Sequence, residues 1–294
     1  MRIGYFADGP WSHRALDKVL ADETLEIAFI CARYDNPDPV LKHACKINGI
    51  QFLVHSNINS GEFLETAASY KCDMLVSMSF NQIFKKEIIN LTEKKAINCH
   101  AGRLPFYRGR NVLNWVLIND EPDFGVTVHY IDEGIDTGDI ILQQRYEISD
   151  DDDYKTLLER SFDYCADTLY RSIKLIQSGE AKSVSQKSIH PVGFYCSRRR
   201  VGDERLDWNQ SARDIFNFVR AITDPGPRAR TVINDAEVSI KRVELIRDAP
   251  VYKGTPGSIL SKVHDGYLVK TRDSFIKVTH WDGPASFRVG DRFQ

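Results

Sequence analysis

Three side chains with catalytic chemistry organise this sequence: Asn98, His100 and Asp136. Asn98 and His100 are two residues apart behind a short apolar run, so on an extended strand both side chains leave the same face. Gly102 and Pro105 then end the strand, which places the pair near its C-terminal end. In open parallel α/β sheets that edge is where ligands bind. The sequence therefore predicts a functional site there.

The three groups suit the attack of an amine on a carbonyl carbon. The amide of Asn98 can donate a hydrogen bond to the oxyanion that develops. An imidazole exchanges protons near neutral pH, so His100 can relay a proton or, as imidazolium, help to hold the oxyanion. Asp136 can orient that imidazole and accept the proton that the amine loses. We interpret a second imidazole, His129, as a packing or supporting residue.

Composition limits the class of protein. The 294 residues suffice for one good core and a smaller second domain. Hydrophobic residues at 42% and charged residues at 27% are typical of a soluble globular chain. The net charge of −2 argues against a nucleic-acid binder that relies on bulk positive charge. No apolar run approaches the roughly 18–20 residues of a membrane span, and no signal peptide is expected. These features predict a cytoplasmic protein with no membrane partner.

The six cysteines lack any spacing typical of a metal or disulfide framework. We expect free thiols in a reducing compartment and no metal. They are Cys31, Cys45, Cys72, Cys99, Cys165 and Cys196.

Strand and helix signals alternate over the first hundred residues, which predicts an α/β fold with a Rossmann-like, doubly wound, mostly parallel sheet. No GxGxxG follows the first strand, so a dinucleotide cofactor is not expected. Later segments carry short strands with Gly and Asp turns. We predict a catalytic domain over 1–185, a connector with a helix over 186–230, and a small β-rich, barrel-like C-terminal domain over 231–294.

Four ordered motifs resemble the folate-dependent formyltransferases, which include the methionyl-tRNA, glycinamide ribonucleotide and nucleotide-sugar enzymes. The motifs are Asn98-x-His100, Leu104-Pro105-x-Tyr107-Arg108-Gly109, Gly125-Val-Thr-Val-His129 and Asp136-Thr-Gly-Asp139. The resemblance implies that Asn98, His100 and Asp136 form the catalytic triad. It also implies N10-formyltetrahydrofolate as the formyl donor, and it extends more weakly through the connector and the tail.

The same resemblance implies where the folate is held. It would lie between the loop that follows residues 77–80 and the segment 130–136. Contacts of this kind are largely to backbone atoms, so residue identities carry little information there. The side chains that we expect near the folate are Met78, Phe80, Asp132 and Ile135.

The segment 107–115 is similar to the sugar-modifying members of this family. In the initiator-tRNA enzyme, small residues and a proline are expected where this chain has Arg110 and Asn111. A few cationic donors suffice to bind a nucleotide diphosphate, and Arg108 or Arg110 could supply one. Trp11, in the first strand-to-helix turn, is a further candidate contact, and packing in the core is an equally open alternative for it. The sequence thus predicts formyl transfer to the amine of a nucleotide-linked amino sugar in surface polysaccharide or glycan biosynthesis, with no nucleic-acid partner.

Three alternatives stay open. The acceptor could be initiator methionyl-tRNA, the donor could simply be hydrolysed, or the chain could be an inactive nucleotide- or sugar-binding module. The sequence leaves undetermined the nucleotide, the sugar, the position of its amine and the role of the C-terminal domain. It also leaves the oligomeric state open, with a homodimer through the tail or connector as one alternative.

Overall fold

The computed structural model describes all residues from 1 to 294. The chain divides into two compact units, each built from three segments. The first unit comprises Met1–Gly109, Phe124–Tyr146 and Glu159–Cys196, and the second comprises Arg110–Asp123, Glu147–Leu158 and Ser197–Gln294. The three successive domains with boundaries at 185 and 230 stay a prediction.

The first unit is built on a seven-stranded sheet with the order β3-β2-β1-β4-β5-β7-β8. Neighbouring strands from β3 to β5 are parallel, and β7 is antiparallel to β5. A separate two-stranded pair joins β6 and β9 in parallel. The predicted mostly parallel α/β sheet is confirmed. The strands are β1 (Arg2–Ala7), β2 (Glu26–Ala32), β3 (Gln51–Val54), β4 (Met74–Met78), β5 (Ala96–His100), β6 (Arg108–Gly109), β7 (Asp123–Tyr130), β8 (Ile140–Glu147) and β9 (Tyr195–Cys196).

Helices alternate with these strands, and local capping residues begin and end several of them. Asp38, for example, accepts hydrogen bonds from the N–H groups of Val40 and Leu41, and Pro39 occupies the first helical position. Gly49 ends that helix in the left-handed region. The helices are α1 (Gly9–Leu20), α2 (Pro39–Asn48), α3 (Gly61–Ser69), α4 (Lys86–Ile89), α5 (Val112–Ile118), α6 (Tyr154–Ser178), α7 (Gln186–Ile189) and α8 (Ala212–Ile222).

An aromatic cluster fills one side of the first unit's sheet. Phe6 of β1 packs edge-on against Phe29, Phe63, Phe80 and Phe84, with ring centroids 4.9–6.0 Å apart. Edge-to-face rings of this kind stabilise a core beyond their buried area. This packing fixes the C-terminal end of β4, beside which β5 carries Asn98 and His100.

The second unit contains a five-stranded antiparallel sheet with the order β10-β11-β14-β13-β12. This confirms the predicted β-rich C-terminal part. A capping box between Ser211 and Asp214 begins α8. Strand β10 was not predicted, because it follows directly on the Pro-Gly-Pro turn and is only five residues long. The strands are β10 (Ala229–Ile233), β11 (Ala236–Leu245), β12 (Ile259–Val263), β13 (Gly266–Lys270) and β14 (Phe275–Asp282).

Three general features complete the description of the chain. All six cysteines are free thiols. No group of three or more His, Cys, Asp or Glu side chains is placed to hold a metal ion. No helix combines the length and the apolar character that crossing a bilayer would require.

Candidate active site

The C-terminal half of β5 presents two polar side chains on one face. Asn98 and His100 are half-buried there. Cys99, between them, points to the other face, where its Sγ lies 3.6 Å from the backbone oxygen of Cys165. This alternation follows from the two-residue period of a strand. It separates the polar face from the face that packs against α6.

Strand β7 adds a second imidazole to that polar face. The antiparallel register sets His129 opposite Asn98 and Thr127 opposite His100, and directly opposed residues have Cβ atoms about 4.5–5.5 Å apart. His129 is 2% exposed, and its Nε2 lies 3.3 Å from the amide nitrogen of Asn98. His129 therefore belongs to the polar cluster and does more than fill space.

Asp136 reaches this cluster from a tight turn between β7 and β8. Its backbone is in the left-handed region at φ +55°, which costs a non-glycine residue on the order of 1–3 kcal/mol and persists only where the surroundings enforce it. Part of that enforcement comes from Asp132. Its carboxylate accepts hydrogen bonds from the Gly134 N–H at 3.0 Å and the Thr137 hydroxyl at 2.5 Å.

The carboxylate of Asp136 bridges both imidazoles. Its Oδ2 lies 3.6 Å from Nδ1 of His100, and its Oδ1 lies 3.6 Å from Nε2 of His129. The N–H of Gly109 donates to Oδ2 at 2.9 Å. The structure thus brings together the three side chains that the sequence singled out, Asn98, His100 and Asp136, with His129 as a fourth.

The ring of His100 has a defined orientation. Its Nε2 lies 2.7 Å from the carbonyl oxygen of Tyr107, and because a carbonyl only accepts hydrogen bonds, Nε2 carries the hydrogen. Nδ1 is then the nitrogen that faces Asp136. A proton that moves between the ring and the carboxylate must use Nδ1.

The carboxyl of Asp136 stays ionised although it is largely buried. Burial by itself raises the pKa of Asp136, but the nearby charges of His100 and His129 when protonated, together with the Gly109 N–H, outweigh that effect. The result is a pKa well below the ordinary value of a carboxyl group. A fixed negative charge therefore faces both imidazoles at neutral pH.

Comparison with known protein families identifies the chain. A model described as "Formyl transferase" matches residues 15–173, more than half of the chain. The chain belongs to the formyl transferase family. A second model, "Formyl transferase, C-terminal domain", matches residues 200–285. The predicted family is confirmed.

Sequence relatives and structural relatives of this formyltransferase carry different names. It is 30% identical over 300 residues to methionyl-tRNA formyltransferase of Clostridioides difficile (strain 630), covering 98% of this chain and 94% of that protein. Its fold matches WlaRD, a sugar 3N-formyl transferase crystallised with dTDP and 5-N-formyl-THF, with a TM-score of 0.70 and 20% identity over 98% of this chain and 99% of that one. An N-formyltransferase from Helicobacter canadensis, in complex with folinic acid and dTDP-3-aminofucose, matches with a TM-score of 0.69 and 20% identity over 96% of this chain and 99% of that one.

The four side chains expected near the folate lie in different surroundings. Met78 is buried at the end of β4, and Phe80 packs on the aromatic cluster at Phe6. Asp132 is exposed and lines a cleft of about 660 Å³, whereas Ile135 is 53% exposed. Of these, Asp132 and Ile135 are accessible to a ligand, and their role in binding folate stays a prediction.

The three side chains expected to contact the acceptor also differ in access. Trp11 is half-buried and packs edge-on against Phe162 at 5.0 Å, as the packing alternative requires. Arg108 is buried, and its guanidinium is bonded to Gln186 and to the carbonyl of Val192. Arg110 is exposed and belongs to the second unit. The Arg108 guanidinium is therefore buried and bonded within the fold, which argues against its predicted role in binding the acceptor.

The sequence did not predict the hydrogen bonds that hold the loop after β5. The hydroxyl of Thr127 donates to the Gly102 carbonyl at 2.6 Å. The amide of Gln143 donates to both the Leu104 carbonyl and the Thr127 hydroxyl, at 2.9 and 2.8 Å. Thr127 lies two residues before His129 on β7, so its position on the polar face follows from the same alternation that placed Asn98 and His100.

Substituting Gly102 should disable the site locally. A Cβ there would lie 2.5 Å from Nε2 of His100 and 2.6 Å from the Tyr107 oxygen, so Gly102→Ala must displace the ring. A misplacement of 1 Å can cost about a hundredfold in rate, and we expect kcat to fall by about tenfold or more. Gly61→Ala is the control, because its Cβ would meet no atom within 4 Å. Equal activity of the two variants in a formyl-transfer assay would contradict this account.

Stability should depend on pH through Asp136. Because its pKa is lowered in the folded state, the carboxylate stabilises the fold above the unfolded pKa of about 3.9, and this contribution is lost as pH falls through the folded value. Asp136→Asn should reduce the free energy of unfolding most at pH 7, and the difference from the natural chain should shrink below about pH 4. Urea unfolding of both chains across this pH range measures the difference in their free energies of unfolding. The exposed Asp17→Asn serves as control and should show no such trend.

Proposed function

We propose that this enzyme transfers the formyl group of N10-formyltetrahydrofolate to the amine of a nucleotide-linked amino sugar, in surface polysaccharide or glycan biosynthesis. The observation that carries the chemistry is the ionised carboxylate of Asp136 between two imidazoles, next to the amide of Asn98. A base, a proton relay and an oxyanion donor thereby lie on one face of the sheet.

In the first step, the neutral amine attacks the formyl carbon and a new C–N bond forms. The carbonyl π electrons move to oxygen, and the amide of Asn98 donates to that oxyanion. The amide nitrogen of Asn98 lies 3.3 Å from Nε2 of His129, which can accept one of its two hydrogens when His129 is neutral. The other remains available for the oxyanion.

In the second step, the tetrahedral intermediate collapses and the bond between the formyl carbon and N10 of the folate breaks. The nitrogen that attacked must lose a proton, and N10 must gain one. Asp136 and Nδ1 of His100 face each other across 3.6 Å, so together they can accept the first proton and return it to the leaving nitrogen. Atoms and charge balance without a further reactant.

Two observations support a small anionic acceptor. The second unit carries 20 Lys and Arg side chains against 21 Asp and Glu, so it has no basic excess of the kind that tRNA binding favours. Directly after Gly109 the chain has the exposed Arg110 followed by Asn111. The similarity in fold to sugar N-formyltransferases is in keeping with such an acceptor.

Other observations favour methionyl-tRNA as a second candidate acceptor. The relatives at about 30% identity over nearly the whole chain are named methionyl-tRNA formyltransferases. In addition, the stretch from residue 197 to residue 294 carries 18 basic against 13 acidic side chains. A local positive surface can bind RNA although the whole chain is slightly acidic.

A panel of acceptors separates the two candidates. The enzyme is incubated with N10-formyltetrahydrofolate and either dTDP-, UDP- and GDP-linked amino sugars or initiator methionyl-tRNA, and products are analysed by mass spectrometry for a gained formyl group. We expect formylation of at least one amino-sugar nucleotide and no gel shift with the tRNA. Formyl-methionyl-tRNA as the sole product would overturn the sugar proposal. Release of formate without any acceptor would indicate hydrolysis.

The role of Asp136 is tested on the same reaction. Asp136→Asn keeps the size of the side chain and removes the charge that accepts the proton. We expect turnover to fall by about a hundredfold or more, with an unchanged far-UV circular dichroism spectrum. Near-natural turnover in this variant would show that the triad is wrongly assigned. Asp17→Asn, an exposed change on α1, should retain full activity.

A further inference from the structure

One buried amide lies behind the proposed catalytic carboxylate and holds the turn that carries it. Gln186, the first residue of α7, is 2% exposed and lies beyond the region matched by the N-terminal family model. Its Nε2 donates to the carbonyls of Asp136 and Gly138, both at 2.8 Å. Its Oε1 accepts from Nε and Nη2 of Arg108 at 3.0 and 2.7 Å. All hydrogen-bonding positions of this amide are used.

Arg108 is itself fixed on its other side. Its Nη1 donates to the Val192 carbonyl at 3.1 Å, and its guanidinium lies 5.3 Å from the ring centre of Tyr195. Strand β6, which contains Arg108, pairs with β9. The guanidinium is therefore a rigid support, and Gln186 transmits that support to the Asp136 turn.

The residues on either side of Arg108 hold the two reactive groups. The carbonyl of Tyr107 accepts from Nε2 of His100, and the N–H of Gly109 donates to Oδ2 of Asp136. Three successive residues thus fix the positions of these groups. Tyr107 holds the imidazole and Gly109 the carboxylate, while Arg108 acts through Gln186 on the backbone of the Asp136 turn. Any shift of the turn relative to this segment changes the distance between His100 and Asp136.

The turn needs this support because its backbone is unfavourable by itself. Asp136 has a left-handed φ of +55°, and such a conformation persists only when neighbouring groups impose it. Without the amide of Gln186, the carbonyls of Asp136 and Gly138 would lose their donor, and a buried carbonyl without a donor is unfavourable. Relaxation of the turn is the expected response.

We propose that Gln186 is a positioning residue for formyl transfer: together with Arg108 it holds the Asp136 turn so that the carboxylate faces His100. It acts through Asp136 and contacts no substrate. The inference rests on the proposed role of Asp136, and it gives Arg108 a positioning role in place of the substrate contact expected from sequence.

The test compares the same change, glutamine to methionine, at two positions. Gln186→Met keeps the length of the side chain and removes every hydrogen bond of the amide. We expect kcat to fall by about tenfold to a hundredfold, with KM for the folate changed by less than about threefold. Gln177→Met is the control, because Gln177 donates to the Thr24 carbonyl in the same unit and touches no part of the turn. A loss confined to KM, or an equal loss in the control, would overturn the proposal.

Action through Asp136 is tested by a double variant. Adding Gln186→Met to Asp136→Asn should cause no further loss of kcat, whereas independent roles would give additive losses. If Gln186→Met fails to fold, Arg108→Lys loosens the same support while Gln186 stays, and it should lower kcat in the same direction. Unchanged kcat in Arg108→Lys would overturn the proposal.

A titration separates this inference from the proposed function. The 13C signal of the Asp136 carboxyl reports its pKa without any acceptor or turnover. In Gln186→Met the midpoint should rise toward the ordinary value of about 3.9, and in Gln177→Met it should stay as in the natural chain. An unmoved midpoint in Gln186→Met would reject the positioning role. Full activity of Asp136→Asn would reject the catalytic assignment and with it a role of Gln186 in catalysis, whereas the titration would still show whether Gln186 holds the Asp136 turn.

Discussion

The site depends on one electrostatic arrangement, the ionised carboxylate of Asp136 held between the imidazoles of His100 and His129. A buried carboxylate is unfavourable unless charged or hydrogen-bonding partners stabilise it. Here two imidazoles and one backbone N–H do so, at 3.6, 3.6 and 2.9 Å. Both rings lie 3.6 Å from the carboxylate, and the surrounding backbone sets that spacing. The left-handed turn at Asp136 and the residues that clamp it therefore determine where the proposed catalytic group lies.

The sheet supplies the rest of this arrangement through the change of direction at β7. The antiparallel register sets His129 opposite Asn98 and puts the end of β7 beside the start of β5. From there the turn to β8 brings the Asp136 carboxylate to both imidazoles. One reversed strand thus contributes both a second imidazole and the carboxylate.

The sequence predicted those parts of the site that follow from local patterns. The two-residue period placed Asn98 and His100 on one face, and ordered motifs pointed to Asp136. The strand and helix alternation predicted the sheet. His129 was interpreted only as a packing or supporting residue, because its position opposite Asn98 depends on a strand direction that periodicity does not reveal.

Arg108 shows more clearly what local sequence patterns cannot predict. An arginine in a glycine-containing loop near a site is typical of an anion contact, and nothing within ten residues of it indicates otherwise. Its burial is decided by Gln186, 78 residues later in the chain. The two-residue strands β6 and β9 that bring these residues together have no periodicity to detect. Long-range pairs of polar side chains are therefore what a local analysis misses, and here they support the proposed catalytic turn.

The residues that determine the acceptor differ from those that determine which group is transferred. In the proposed mechanism both acceptor classes use the same carboxylate, imidazole and amide, so identity spread over the whole chain measures the shared fold and centre more than the acceptor. Differences between acceptors must come from the few residues that touch them. The segment after Gly109 is one such place, since Asn111 has a left-handed backbone at φ +55° and its side-chain oxygen accepts from the Arg199 N–H at 2.9 Å. A proline or a small apolar residue there could not accept that hydrogen bond. Asn111, which stands where a proline or a small residue is expected in the initiator-tRNA enzyme, therefore has a structural role in the second unit. This favours a segment that is adapted to a particular acceptor over one that changed without functional consequence.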